Sequence, residues 1–233
     1  MSCGKYTTDY WVDLLSQHVD DPSWVPYCSR WIAEETDGCP AGLGQVTEVG
    51  IFQLDLQDGP KWGATVDTLH GNFSVSPSSQ SLARDLTPDE ETLQVTTGLT
   101  FIRWVRQHNQ ANLDHLGISW SDDELWAFTK LYHALPRLTD NYLDAAHNVG
   151  ATSSWSDFAA YLRGLSKDDA AGINSAVAAK YWPFGKYVDN AEAVGFGGAN
   201  PSDFLSFDVG STLVVLLALA AAAYWLQHHS HAV

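Results

Sequence analysis

The sequence predicts a mainly α-helical domain followed by an apolar C-terminal helix. Apolar residues recur at helical spacing in successive segments. Two of those segments open on a Ser or Thr with Glu three residues later, at Thr87/Glu90 and Ser121/Glu124, the pattern of a capping box. Residues 209–226 (VGSTLVVLLALAAAAYWL) run for eighteen residues without a charge. The expected organisation is a domain over 1–195, a glycine-rich linker over 196–208, a transmembrane helix over 209–226 and a short His-rich tail over 227–233.

Residues 8–19 read as a short amphipathic helix with Trp11, Leu14, Leu15 and Val19 on one side, and Asp20-Asp21-Pro22-Ser23 ends it. The next helix covers 24–35, with Val25, Cys28, Trp31 and Ile32 at helical spacing, and ends in Glu34-Glu35. Residues 54–86 carry many turn formers and no period, which predicts loop, with Trp62 and Phe73 available to stack on a ligand. Pro88 at the first helical position begins a long helix with Leu93, Val95, Leu99, Ile102 and Val105 inward; Asn109–Gly117 reads as a connection. After Ser121, the residues Leu125, Phe128, Leu131, Tyr132, Leu135 and Leu138 keep helical spacing on one face. Two further helical runs are expected at Trp155–Leu165 and Asp168–Tyr181.

At 1.5 Å per residue, 209–226 spans about 27 Å, close to a hydrocarbon core of about 30 Å. Tyr224 and Trp225 stand where an interfacial belt belongs. The segment reads as a single membrane anchor, with a buried C-terminal helix as the alternative.

Composition excludes some functions. Lys and Arg number 12 against 28 Asp and Glu, a net charge of −16, which argues against nucleic acid as a partner. The 10 Trp, 9 Tyr and 9 Phe suit both a core and sugar-stacking faces. Three cysteines make no disulfide framework, although a Cys28–Cys39 bridge is open. His70 has no companion at metal-ligand spacing and His18 reads as a surface residue, so no metal is expected. No basic and apolar leader opens the chain, and no cleaved signal peptide is expected.

The chemistry concentrates in Glu34–Gln53, EETDGCPAGLGQVTEVGIFQ. A helix delivers a carboxyl group into a loop with several glycines, and a buried Glu with a raised pKa is the usual general acid of glycosidic cleavage. Adjacent helical residues point about 100° apart, so Glu34 and Glu35 cannot enter one cleft equally.

In these residues the chain resembles the lytic transglycosylase family, of the goose-type lysozyme-like fold. There a Glu-Ser pair ends a helix, and a Gly-Leu-Met-Gln loop starts about fifteen residues on. Here Glu35-Thr36 is followed by Gly50-Ile51-Phe52-Gln53 at that distance. Counting back from the similar Gly42-Leu43-Gly44-Gln45 lands on Tyr27, so Glu35 with Gly50 is the better register. Thr97–Trp104, with Gly98, is similar to the family's helix after that loop. Leu131-Tyr132-His133-Ala134-Leu135-Pro136 is similar to the family's Ala-Tyr-Asn-Ala-Gly-Pro segment, with His133 in place of Asn and Leu135 in place of Gly. Tyr187-Val188 resembles a late Tyr-Val pair, with Pro183 where a Glu often stands. The resemblance covers roughly residues 8–195.

The resemblance implies a lysozyme-like helical domain that cleaves peptidoglycan glycan strands between N-acetylmuramic acid and N-acetylglucosamine. Glu35 would be the catalytic acid and then base, without a cofactor or a second carboxylate, and the product a 1,6-anhydro sugar. Thr36, Gly50, Phe52, Gln53 and Tyr132 would contact substrate, the Tyr132 hydroxyl also holding Glu35. Two alternatives stay open: a hydrolase using Asp55 or Glu48 to activate water, and an inactive structural virion or membrane protein on the same fold. The anchor suits a virion membrane or a host cell envelope.

Overall fold

The computed structural model describes residues 7–35, 48–49, 54–55, 87–135 and 138–197, with backbone alone at residues 48, 49, 54, 55, 90, 94, 138 and 139. Helix α1, Thr8–Ser16, starts where the Thr7 side chain accepts the Tyr10 N–H at 3.2 Å. A single 3₁₀ turn, Pro22–Trp24, follows, with Asp21 accepting the Ser23 N–H at 2.9 Å. Helix α2, Val25–Glu35, continues from it and buries Cys28, Trp31 and Ile32. Strands β1 (Glu48–Val49) and β2 (Leu54–Asp55) form a minimal antiparallel pair, with Glu48 opposite Asp55 and Val49 opposite Leu54.

The remaining helices are α3 (Pro88–Leu116), α4 (Asp122–Ala134), α5 (Leu138–Asn148), α6 (Trp155–Gly164), α7 (Lys167–Tyr181) and α8 (Gly185–Phe196). The chain is mainly α-helical, as expected. Ser121 and Glu124 close the capping box on α4: Glu124 N–H reaches Ser121 Oγ at 3.3 Å, and Ser121 N–H reaches Glu124 Oε2 at 2.7 Å. The other Glu124 oxygen accepts the Trp155 N–H at 2.8 Å. One side chain therefore caps α4 and fixes where α6 begins.

Helix α4 is the centre of the described helices. Every residue from Leu125 to Tyr132 is buried, the mark of a helix enclosed by neighbours on all sides. Its Trp126 and Tyr132 enter one core with Trp11, Leu15, Trp31 and Ile32 of α1 and α2 and Val95, Ile102 and Val105 of α3. Its Phe128 and Leu131 enter a second core with Tyr142, Trp155, Phe158, Phe184 and Val188 of α5, α6 and α8. Cys28 is a free, fully buried thiol whose pKa burial pushes up to about 12; its sequence-suggested partner Cys39 lies outside the described residues.

Several expected boundaries move. Asn109–Leu116 continues α3 instead of connecting it, and Gly117, at φ 69°, supplies the stop. Leu138 does not extend α4; that helix ends at Ala134 ahead of Pro136, and Leu138 opens α5, which the sequence reading missed. Helix α7 bends at Asn174 (φ −153°, ψ 104°), whose Oδ1 accepts the Val177 N–H at 3.3 Å and so caps the second half. Gly195 and Phe196 are helical, and α8 closes on Gly197 at φ 61°. No helix among the described residues is long and apolar enough to cross a membrane, and 209–226 lies outside them.

Gly195 sets the approach of α8 to α4. A Cβ there would stand 2.6 Å from the Asp123 carbonyl oxygen and 2.7 Å from the Ala127 Cβ. Gly195→Ala is expected to cost about 1–3 kcal/mol through overpacking. Exposed Gly172 in α7 has nothing within 4 Å of that position, and Gly172→Ala should be neutral or gain up to about 1 kcal/mol. Urea denaturation of both variants checks this, and equal effects would contradict the account.

Candidate active site

Helix α2 delivers Glu35 as its last residue, one turn beyond the buried Trp31 and Ile32. Both Glu34 and Glu35 sit at the end where the helix dipole is negative, an unfavourable place for a carboxylate. What holds them is Lys130, at the middle of the enclosed α4 and only 3% exposed in its side chain. Its ammonium donates to Glu35 Oε1 and lies 2.7 Å from Glu34 Oε2. His133, one turn further along α4, places Nδ1 3.2 Å from the same Glu35 oxygen.

The surroundings are aromatic. The His133 ring stands edge-on to Trp31 at 5.2 Å and to Phe101 at 5.7 Å between centroids. The Lys130 ammonium lies 5.4 Å from the Trp31 ring centre, within cation–π range. Glu34 turns its other oxygen to α8, where Asn190 Nδ2 donates to it. The two acids do not enter the site alike. They diverge along the helix, yet both reach the one ammonium, Glu34 from the α8 side and Glu35 from the His133 side.

Glu35 does not carry the raised pKa of the usual general acid. Burial by itself would raise its pKa, but the charges of Lys130 and His133 and the hydrogen bonds they donate outweigh it and hold the carboxyl down at about 2. Burial would likewise lower the Lys130 pKa, and the two carboxylates reverse that and raise it. At neutral pH the pair is carboxylate and ammonium.

Tyr132 occupies the adjoining face of α4. Its ring meets Trp104 at 6.1 Å and His108 at 5.1 Å, both on α3. His108 Nε2 lies 3.1 Å from Asp140 Oδ2, and Asn112 donates to Asp140 Oδ1 at 2.8 Å, joining α3 to the start of α5. The other expected substrate contacts, Thr36, Gly50, Phe52 and Gln53, lie outside the described residues, as do Trp62 and Phe73. Glu48 and Asp55 are cross-strand neighbours in backbone register. Among the described residues no group of three or more His, Cys, Asp and Glu side chains is arranged to hold a metal ion.

Lys130 and His133 were not foreseen as partners of Glu35. The signal was present: a lysine three residues before a histidine, inside the apolar run LWAFTKLYHAL, puts two basic groups on one face of a buried helix. No protein-family model, curated protein or solved structure matches the chain.

The ion cluster makes a pH prediction with a definite sign. Glu35 is ionised more readily when folded than when unfolded, so it stabilises the fold above about pH 4.5, and this is lost as pH falls towards 2. The shift corresponds to roughly 3 kcal/mol at 1.36 kcal/mol per unit. Lys130→Met leaves two buried carboxylates without their cation and should cost about 3–5 kcal/mol at pH 7. In that variant stability should instead fall as pH rises, because the carboxyls must ionise unpaired. Denaturation midpoints from pH 3 to 8 check this; parallel profiles for the two proteins would contradict it.

Proposed function

We propose that this chain is a peptidoglycan lytic transglycosylase in which Glu35 cleaves the bond between N-acetylmuramic acid and N-acetylglucosamine. The observation that carries the reading is the placement of Glu35: a nearly buried carboxylate on the last residue of α2, with a basic pair on α4 within reach. It is supported by the chain order, in which β1 and β2 follow α2 and precede the long α3. Thr36, Gly50, Phe52, Gln53 and Tyr132 contact the glycan in this reading, and 209–226 anchors the enzyme to a virion membrane or cell envelope.

The cluster defines how a carboxylate that starts ionised acts as an acid. Lys130 is a standing counter-charge, kept protonated by two carboxylates. The His133 Nδ1 lies 3.2 Å from the Glu35 oxygen. In the proposed cycle an imidazolium proton passes from His133 to Glu35 and on to the glycosidic oxygen as the C1–O bond breaks. The substrate's N-acetyl group stabilises the cation at C1. The muramoyl 6-hydroxyl then attacks C1, and its proton returns through Glu35 to His133.

One observation favours a second reading, a structural protein that keeps the helical frame without turnover. The ion pair with Lys130 depresses the Glu35 pKa, opposite to the tuning of a resident general acid. A hydrolytic outcome using Asp55 or Glu48 is a third, separated by its product.

Digestion of purified murein followed by mass spectrometry tests these readings together. Wild-type protein should release 1,6-anhydro muropeptides, Glu35→Gln should lose at least about 10²-fold in rate, and Glu34→Gln should retain most activity. A chain ending at residue 202 should cleave as well as the full chain and no longer sediment with lipid vesicles. Reducing-end products point to the hydrolase; no release by wild type leaves the structural reading.

A further inference from the structure

Helix α3 carries a second side that the Glu35 cluster does not use. Phe101, Trp104 and His108 look towards α4. Arg103, Gln107, Gln110 and Asp114 lie on another side of the helix at spacings of three and four, and they line an open hollow of about 430 Å³ with Arg106 and Trp24. A second hollow of about 270 Å³ shares Trp24, Arg103 and Gln107 and reaches Asp20. Together they make one groove along α3 with Trp24 at its middle. From Leu99 to Asp114 the helix rises about 22 Å. Trp24 precedes α2, whose length sets it about 16 Å along the chain axis from Glu35.

The groups in this groove are held in place before any ligand arrives. Arg106 pairs with Asp122 at 2.5 Å, and its guanidinium lies 4.3 Å from the Trp126 ring centre and 5.3 Å from that of Trp24. Arg103 pairs with Asp20. Gln110 donates to Asp114 at 2.7 Å, which leaves its carbonyl oxygen as an acceptor, and exposed Gln107 offers an amide of both polarities. The half-buried Trp24 supplies aromatic surface.

Charge narrows the ligand. Each guanidinium already has a carboxylate, Asp114 adds another, and the chain carries −16 overall, so an anion is repelled. An apolar helix would strand the amides and guanidinium N–H groups of the lining. A neutral chain with apolar ring faces and alternating donors and acceptors satisfies all of them. We infer that this α3 groove binds a neutral oligosaccharide, giving the protein a carbohydrate contact apart from Glu35, with an N-acetylglucosamine oligomer as its probe.

Calorimetric titration of the N-acetylglucosamine tetramer into the full chain tests the inference without any turnover. Saturable binding is expected, weakened about tenfold or more, or about 1.4 kcal/mol, by Trp24→Ala and by Gln107→Ala. The second variant removes an exposed side chain and guards against a folding defect in the first. Glu35→Gln should leave this affinity unchanged. Absence of saturable binding, loss of binding in Glu35→Gln alone, or equal binding of a neutral tetrapeptide overturns the groove. Binding without murein cleavage would sink the proposed activity and leave the groove standing; cleavage without Trp24- and Gln107-dependent binding would do the reverse.

Discussion

A lysine ammonium inside a helix enclosed on every side is the constraint from which the arrangement follows. An ion of this size taken out of water costs several kcal/mol even after the protein relaxes. Lys130 is buried at the middle of α4, so counter-charge has to come to it. Helix α2 supplies two carboxylates at its last turn, and α8 holds one of them through Asn190. The meeting of α2, α4 and α8 is thereby tied to one charge. Gly195 lets α8 approach α4, while Arg30 of α2 donates to the carbonyls of Val194 at 2.7 Å and Gly195 at 3.4 Å. A buried ion cluster of this kind is weak evidence for stability in itself, because its attraction mostly offsets its desolvation. Its consequence is geometric: it places a carboxylate and an imidazole in contact within an aromatic enclosure.

The same cluster separates two roles that one glutamate is often asked to fill. A general acid benefits from a site that raises its pKa, and here burial alone acts in that direction. The added cations reverse the sign. Glu35 is therefore held as a carboxylate, and under the proposed function an acid role would require a proton from a neighbouring group.

Much of the fold was legible because its signals are local. Ser121 with Glu124 marked the start of α4, and Pro88 that of α3. Apolar spacing placed α1, α2, α6 and α7 to within a few residues. Helix α5 was missed because its apolar residues Tyr142, Leu143 and Ala146 are few, and its first residue, Leu138, fell on the spacing of the preceding helix. Asn109 was read as a turn residue, yet it is fully buried inside α3: tertiary enclosure overrode its propensity. At the candidate site, the sequence placed Glu34 and Glu35 at a helix end, and the choice of Glu35 came from the spacing to Gly50 in the resemblance. The partners of Glu35 could not be named, because the contact between residues 35 and 130 is set by how α2 and α4 pack.

The most direct test of this account is the titration of the Glu35 side-chain carboxyl, followed by carbon NMR in the selectively labelled full chain. The account predicts a carboxylate that stays ionised down to about pH 2. A midpoint at or above the ordinary value of 4.5 would contradict it, and would mean that the Lys130 charge does not govern the site.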